Sequence, residues 1–449
     1  MKTARAGNTR AARLAGPVAA AFIVRFGLLA VALARTGTAV IASGDTESYL
    51  IPGRNLLFHG RFAAGALPEI DRTPGYALFL ALASLPGAAF AAFVQVIVSA
   101  ISAILVVRLA RSAFGDERIA LAAAWLFAFE PVSAIYSVRL LPGTLFTALL
   151  LLSLERIAAF LRERRLTMLA AAGLWLAAAI FVRPAGYYLP FALAGGLFMV
   201  LARVRGLRWK APAVLLAAVL PWIAAWQARN RVETGFGGFS SIVARNLYFY
   251  QAAEVIARVA HKPMAEAQNE FGYSDERSYL ARHPEQAKWS EARRTAFMAS
   301  EAARVLAAHP GTALRMYAEG AAVVAFTPCG AEMLRLTGAW LRDWPARVAD
   351  RGPVRSAWRL VRGDPGVAAV LAVLEAVLLL LYLLAVRGAV RIGVRSARMW
   401  LLAGAALYFI SVSGGAQAVG RYRLPAMPEV CILAAAGVRR NGASVEVKA

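Results

Sequence analysis

Asp45 and Tyr49, in the stretch SGDTESYL (43 to 50), stand four residues apart directly after an apolar run. A helix beginning after Gly44 would put carboxylate and phenol on one face at a membrane boundary. A carboxylate so placed can take the proton of an acceptor hydroxyl. The same residues also suit a plain helix start, with Asp45 as N-cap and Glu47 in the first turn, and on local sequence alone the cap is the better reading. A second charged group lies in PEIDRTPGYALF (68 to 79), where Glu69, Asp71 and Arg72 precede a proline-glycine turn and Tyr76. Taken alone, it also describes a solvated turn with a surface ion pair of little energetic weight.

Cations recur at similar boundaries. Arg183, in IFVRPAGYYLP, sits between two apolar runs, where it can snorkel to water or hold an anionic head group. The segment QARNRVETGFGGFSSIVARNLYFYQ (227 to 251) presents Arg229, Asn230 and Arg231, then glycines and serines with open backbone N–H groups, then Arg245, Asn246 and Tyr248. Phosphate or sugar hydroxyls could be held there, although a flexible loop with basic anchors reads the same way. GRYRLP (420 to 425) places Arg421 and Arg423 between the last two apolar runs, on the side that positive-inside bias disfavours, which points to a retained role such as clamping a lipid phosphate.

The elements that must position these groups are membrane helices. The chain has 449 residues, 59% of them hydrophobic, with a mean hydropathy of +0.56, which makes it an all-α polytopic membrane protein. Its net charge of +24 would suggest nucleic acid in a soluble chain. Here, however, the arginines cluster between apolar runs as the positive-inside rule expects, and no aromatic residues interleave them as a stacking platform would need. Cys329 and Cys431 are the only cysteines, no C-x-x-C or H-E-x-x-H spacing occurs, and the four histidines are scattered, so no zinc or redox site and no cofactor is implied. A carboxylate pair could still recruit a divalent ion. The N-terminal apolar run is too long for a cleaved signal peptide and reads as an uncleaved first span.

Candidate spans fall near 17 to 42, 88 to 110, 119 to 138, 143 to 161, 167 to 183, 185 to 202, 211 to 228, 366 to 386, 399 to 417 and 424 to 438, about ten crossings at about 20 residues each. With the N-terminus cytoplasmic, this places the basic clusters at residues 5 to 13, 162 to 165, 203 to 210, 387 to 398 and 439 to 440 inside. Within a single membrane domain (1 to 449), two segments are then external: 43 to 87, carrying Asp45, and 229 to 365, with amphipathic helices. TPGYALFLALASLPG (73 to 87) is too short to cross and reads as a surface-lying or half-inserted helix. TALRMYAEGAAVVAFTP (312 to 328) is read likewise, because counting it as a span would move the last basic segments outside.

GDTESY, RTPGYALF, VRPAGYYLP, RNRVETGFGGFSS…NLYFY and GRYRLPAMP, in this order against the spans, resemble the bacterial GT-C glycosyltransferases of the family 39 type, related to protein O-mannosyltransferases and lipid A aminoarabinose transferases. The resemblance implies a GT-C fold in a bacterial inner membrane, with the active site on the external face. It implies inverting transfer of a sugar from a polyprenyl-phosphate donor to a glycan, lipid or protein acceptor. Asp45 would be the general base. Arg72, Arg183, Arg421 and Arg423 would take the donor phosphate, while Tyr76, Asn246 and Tyr248 would form the cavity wall, with Tyr49, Glu69, Asp71 and Arg229 beside them. One departure stands out: relatives often carry a glutamate just before the TLFTALL helix, where this chain has Gly143, so a second acid would come from Glu130, Glu69 or Asp71. Two other classes fit part of the pattern. A transporter or flippase of an anionic lipid would use Arg25, Arg35 and Glu375, and an inactive scaffold relative would explain Gly143.

Overall fold

A chain that crosses lipid must satisfy its backbone hydrogen bonds within itself, and every long apolar stretch accordingly folds as helix. The computed structural model describes residues 2–339 and 362–438, with side chains from Leu14. Arg439 and Arg440, the tail beyond them, and residues 340–361 of the second expected external segment lie outside the described residues.

The first helix, α1 (Lys2–Thr36), stops six residues before the expected end of the first span, because Gly37 takes φ of +71° and turns the chain. Then come α2 (Thr46–His59), a two-stranded hairpin β1 (Ala63–Ala64) and β2 (Leu67–Pro68), and α3 (Pro74–Ala83). Gly53 lets α2 press on α3, since a Cβ there would run into Ala77 O. At 10 residues, α3 falls far short of a crossing, as its sequence indicates.

Next follow α4 (Ala88–Phe114), α5 (Glu117–Phe129), α6 (Pro131–Ser137), α7 (Gly143–Glu163), α8 (Leu166–Val182), α9 (Leu189–Val200) and α10 (Lys210–Thr234). The expected single span 119 to 138 is two helices bent by 55°. Pro131 starts α6 and Glu130 caps it, accepting from Val132 N (2.9 Å) and Ser133 N (2.7 Å). α10 runs past the expected boundary at 228, so Arg229, Asn230 and Arg231 are helical rather than loop residues.

Beyond it, α11 (Ile242–Asn246) passes through a π-helical turn (Leu247–Ala252) into α12 (Ala253–Val259). Short helices α13 (Met264–Glu270) and α14 (Glu276–Arg282) lead to α15 (Glu291–Ala308), α16 (Pro310–Phe326) and α17 (Gly330–Leu336). The chain closes with α18 (Pro365–Ile392), α19 (Ala397–Val412), a 3₁₀ turn (Gly420–Ala426) and α20 (Met427–Val438).

Among the described residues, α1 from Leu14, α4, α7, α10 and α18 are each long and apolar enough to cross a membrane, and the bent pair α5–α6 would be a sixth if taken as one span. α8 and α19, at 17 and 16 residues, are shorter than the roughly 20 a straight crossing takes.

Arg25 is fully buried in α1. It donates to Ser99 Oγ (2.7 Å) and, at the C-terminal end of α5, to Ala128 O (2.8 Å) and Phe127 O (3.1 Å). This charge, a candidate for a transport path, is a clamp on a helix end.

Close packing of α18 on α20 depends on glycine, because a Cβ on Gly388 would strike Leu433 O and one on Gly437 would strike Leu384 O. Gly388→Val is therefore expected to lower stability by about 1–3 kcal/mol, seen as a lower Tm in detergent. Gly404→Ala, with open space around its Cβ, is expected to leave Tm unchanged or higher.

Candidate active site

The start of α2, the turn before α3, the end of α8, segment 242–252 and the 3₁₀ turn meet around a cavity of about 860 Å³. Asp45 sits at its wall. It precedes α2 with φ −79° and ψ −17°, not the extended backbone of an N-cap, and its side chain makes no cap hydrogen bond. Instead Arg72 Nη2 donates to its Oδ1 (3.0 Å) and Arg421 Nη2 to its Oδ2 (3.3 Å). The cap reading is thus overturned: residues 27 and 376 positions away claim both oxygens, and the side chain stays 37% exposed to the cavity.

Arg72 is fixed from three sides. Its Nε donates to Ser48 Oγ (3.0 Å), its Nη1 to Tyr49 OH (3.3 Å), and its guanidinium lies 4.6 Å over the Tyr49 ring. Ser48 and Tyr49 come from the first turn of α2, so this helix carries both the carboxylate and the seat of its partner. Burial works to lower the Arg72 pKa, but Tyr49 and Asp45 opposite it outweigh that, and the net shift is upward. For Tyr49, burial is the larger effect and lifts the phenol above its usual value, which keeps it protonated.

Arg183, the cap residue of α8, lines the cavity with its guanidinium 5.0 Å over the Tyr422 ring, and among the described residues no carboxylate or side-chain hydrogen bond engages it. Tyr422 also lies under Arg421, at 5.3 Å. Asp71 faces the cavity too, held by Ser241 Oγ and by Arg245 Nη1 (2.5 Å). Ser240 Oγ on Asp71 O (2.5 Å) and Ser241 N on Ile70 O (3.0 Å) complete a latch between the turn before α3 and the start of α11. Four arginines (72, 183, 245, 421) against two aspartates (45, 71) leave the cavity a net charge of +2.

The structure therefore gathers Asp45, Tyr49, Asp71, Arg72, Arg183, Asn246 and Arg421 around one cavity. Five expected residues are elsewhere. Glu69 accepts from Asp71 N (2.6 Å) and Arg72 N (2.9 Å), shaping the turn that aims Arg72. Tyr76 is fully buried behind Tyr49, donating to Gln95 Oε1 (2.8 Å). Arg229 ties α10 to the first loop through Glu69 O (2.8 Å) and Phe62 O (2.7 Å). Tyr248 points away to His283 Nε2 (2.9 Å). Arg423 is 1% exposed and donates to carbonyls at the end of α16.

Arg245, named in the sequence only within a stretch that could hold phosphate or sugar hydroxyls, lines the cavity, as do Tyr250 and Tyr422, which were not singled out. Arg245 had a signal: it stands one helical turn after Ser241, so both can reach one carboxylate. Gly143 lies on the cavity wall beside Leu424. Of the three acids that could substitute for a glutamate there, only Asp71 reaches the cavity, since Glu69 serves its turn and Glu130 is a buried cap.

Comparison with known proteins adds a family match. Residues 72–227 match the family model described as dolichyl-phosphate-mannose-protein mannosyltransferase. The mannosyltransferase-matching segment covers about a third of the chain and includes Arg72, Gly143 and Arg183, whereas Asp45, Arg245 and Arg421 lie outside it. No curated protein matches the chain. Among solved structures, the apo Archaeoglobus fulgidus oligosaccharyltransferase superposes with a TM-score of 0.48 at 14% identity, over 93% of this chain and 50% of the other. The oligosaccharyltransferase AglB from the same organism, in complex with an inhibitory peptide and a dolichol-phosphate, gives 0.47 at 16% identity, over 93% and 50%. ArnT from Cupriavidus metallidurans, in the apo state, gives 0.37 at 15% identity, over 92% and 76%. The chain spans about half the length of the oligosaccharyltransferases it matches.

Proposed function

We propose that this protein is a membrane glycosyltransferase that moves a sugar from a polyprenyl-phosphate donor to an acceptor hydroxyl, with Asp45 as general base. The observation that carries this reading is a reachable carboxylate set among guanidinium groups in one cavity with an apolar side. Attack by the acceptor oxygen on the anomeric carbon breaks the bond to the phosphate oxygen, the acceptor proton passes to Asp45, and the electron pair leaves on the phosphate. A sugar phosphodiester bears one negative charge and the departing polyprenyl phosphate gains a second. The net +2 of the cavity therefore favours the leaving state over the bound donor, which is how binding accelerates a reaction.

Tyr188, at the start of α9, and Tyr408 and Val412 on α19 supply the apolar side, where the prenyl chain would lie. α7 leaves the cavity at Gly143 and ends among Arg162, Arg164 and Arg165, and α8 returns from there to Arg183. Positive-inside bias then supports a cavity open to the external face. The acceptor, whether glycan, lipid or protein, would enter over segment 242–252, and Asn246 and Tyr250 would meet it.

The test is release of polyprenyl phosphate from a panel of polyprenyl-phosphate sugars by the purified protein in nanodiscs. Arg183→Ala is expected to raise the donor KM about tenfold or more, as loss of a charge-assisted phosphate contact does. No release from any donor, with lipid transport in proteoliposomes instead, would overturn the proposal.

A further inference from the structure

Without substrate, Asp45 is not a free base. Both of its oxygens accept from guanidinium groups, Oδ1 from Arg72 (3.0 Å) and Oδ2 from Arg421 (3.3 Å), and those two cations line the same cavity as Arg183, the cavity arginine that no carboxylate engages among the described residues. Both carboxylate oxygens are therefore already engaged before an acceptor hydroxyl arrives. A donor phosphodiester held by Arg183 in the same cavity carries one negative charge over two unesterified oxygens, as the Asp45 carboxylate does, so it can take the place of Asp45 as acceptor for Arg72 and Arg421, and the phosphate released by transfer carries a second charge.

We propose that the donor phosphate and the Asp45 carboxylate compete for Arg72 and Arg421, so that donor binding itself frees the base. This rests on the functional reading above and deepens it: the lipid phosphate is both leaving group and activator, and the acceptor is productive only after the donor is in place. Arg72 is suited to changing partner in this way. Ser48 Oγ and the Tyr49 ring hold its Nε edge and its plane, while Nη2 alone faces Asp45. The guanidinium can therefore exchange a carboxylate for a phosphate without leaving its seat. After transfer, the proton on Asp45 lies beside a phosphate with two negative charges. Passing it to a phosphate oxygen returns Asp45 to its anionic form, which reclaims both arginines and weakens their hold on the product.

Competition makes an unusual demand: removing the catalytic carboxylate should tighten binding of the lipid phosphate. The experiment is titration of the full-length protein in detergent with farnesyl phosphate, a short polyprenyl phosphate, by isothermal calorimetry. Asp45→Asn is expected to bind it about tenfold or more tightly than wild type while losing sugar transfer. Asp71→Asn removes the same charge from the same cavity but frees Arg245 rather than Arg72 and Arg421, and is expected to tighten binding by less than half that factor. Equal tightening in both variants would reduce the effect to net charge and overturn the competition. So would unchanged or weaker binding in Asp45→Asn, with the transferase reading left intact if wild type still releases polyprenyl phosphate from donor. Farnesyl phosphate bound by neither wild type nor Asp45→Asn would overturn both readings. An unfolded Asn variant is recognised by its elution profile, and Asp45→Ser then serves with the same expected direction.

Discussion

Asp45→Asn is expected to slow sugar transfer by about 10²–10⁴-fold, the range over which a positioned proton acceptor contributes. The substitution keeps the size and planarity of the side chain, and its remaining oxygen can still accept from Arg72 or Arg421, so α2 should start where it does now. What it removes is the ability to take the acceptor proton as the new glycosidic bond forms. The loss should therefore fall on kcat, and the donor KM should not rise, because the arginines are if anything released toward the phosphate. Single-turnover transfer from a labelled polyprenyl-phosphate sugar measures the chemical step directly. Near-wild-type turnover in the Asn variant would remove Asp45 from proton transfer and leave it a purely structural partner of two arginines.

What could be read in the sequence, and what could not, follows from the range of the forces involved. Helix in lipid is dictated locally by apolar length, so each apolar run was legible as helix. Where the runs end depended on single residues: Gly37 ended α1 early, and Pro131 split one expected span into two. The site was legible as a set of motifs, since Asp45, Arg72, Arg183 and Arg421 do converge.

Residue type was not enough to tell which of two close neighbours turns inward. Arg421 and Arg423 are two apart in a 3₁₀ turn of about three residues per turn, so they leave on different sides, one to Asp45 and one to the end of α16. Tyr248 and Tyr250 are separated in the same way within the π-helical turn Leu247–Ala252, whose wider winding cannot be inferred from an α-helical pattern and which brings Tyr250 to the cavity. The cap reading of Asp45 failed for a related reason. N-capping is decided within four residues, whereas the partners that claim this carboxylate arrive from the turn before α3 and from the far end of the chain.

The difference between the two C-terminal arginines supports the largest expected effect on stability. Arg423 Nη1 donates to Val324 O (2.9 Å), Ala325 O (3.4 Å) and Thr327 O (2.6 Å), carbonyl groups where α16 ends, and its charge sits at the negative end of that helix. Arg423→Leu would fill similar volume but, among the described residues, leave Val324 O without a donor, Ala325 O with Tyr382 OH alone and Thr327 O with only the Cys329 thiol, in a place water does not reach. The expected cost is about 2–4 kcal/mol, at about 1–3 kcal/mol for each buried carbonyl left without its donor. It should appear as a large fall in Tm and in folded yield in detergent. Because Arg423 does not line the cavity, the fraction that folds should keep the donor KM of the wild type. Arg421→Leu should behave in the opposite way, with a melting temperature close to wild type and a donor KM raised about tenfold, since on the proposed function it loses a phosphate contact but no helix-end clamp. A normal Tm together with a raised donor KM in Arg423→Leu would move that guanidinium from the scaffold into the cavity, and the division of labour within GRYRLP would have to be reversed.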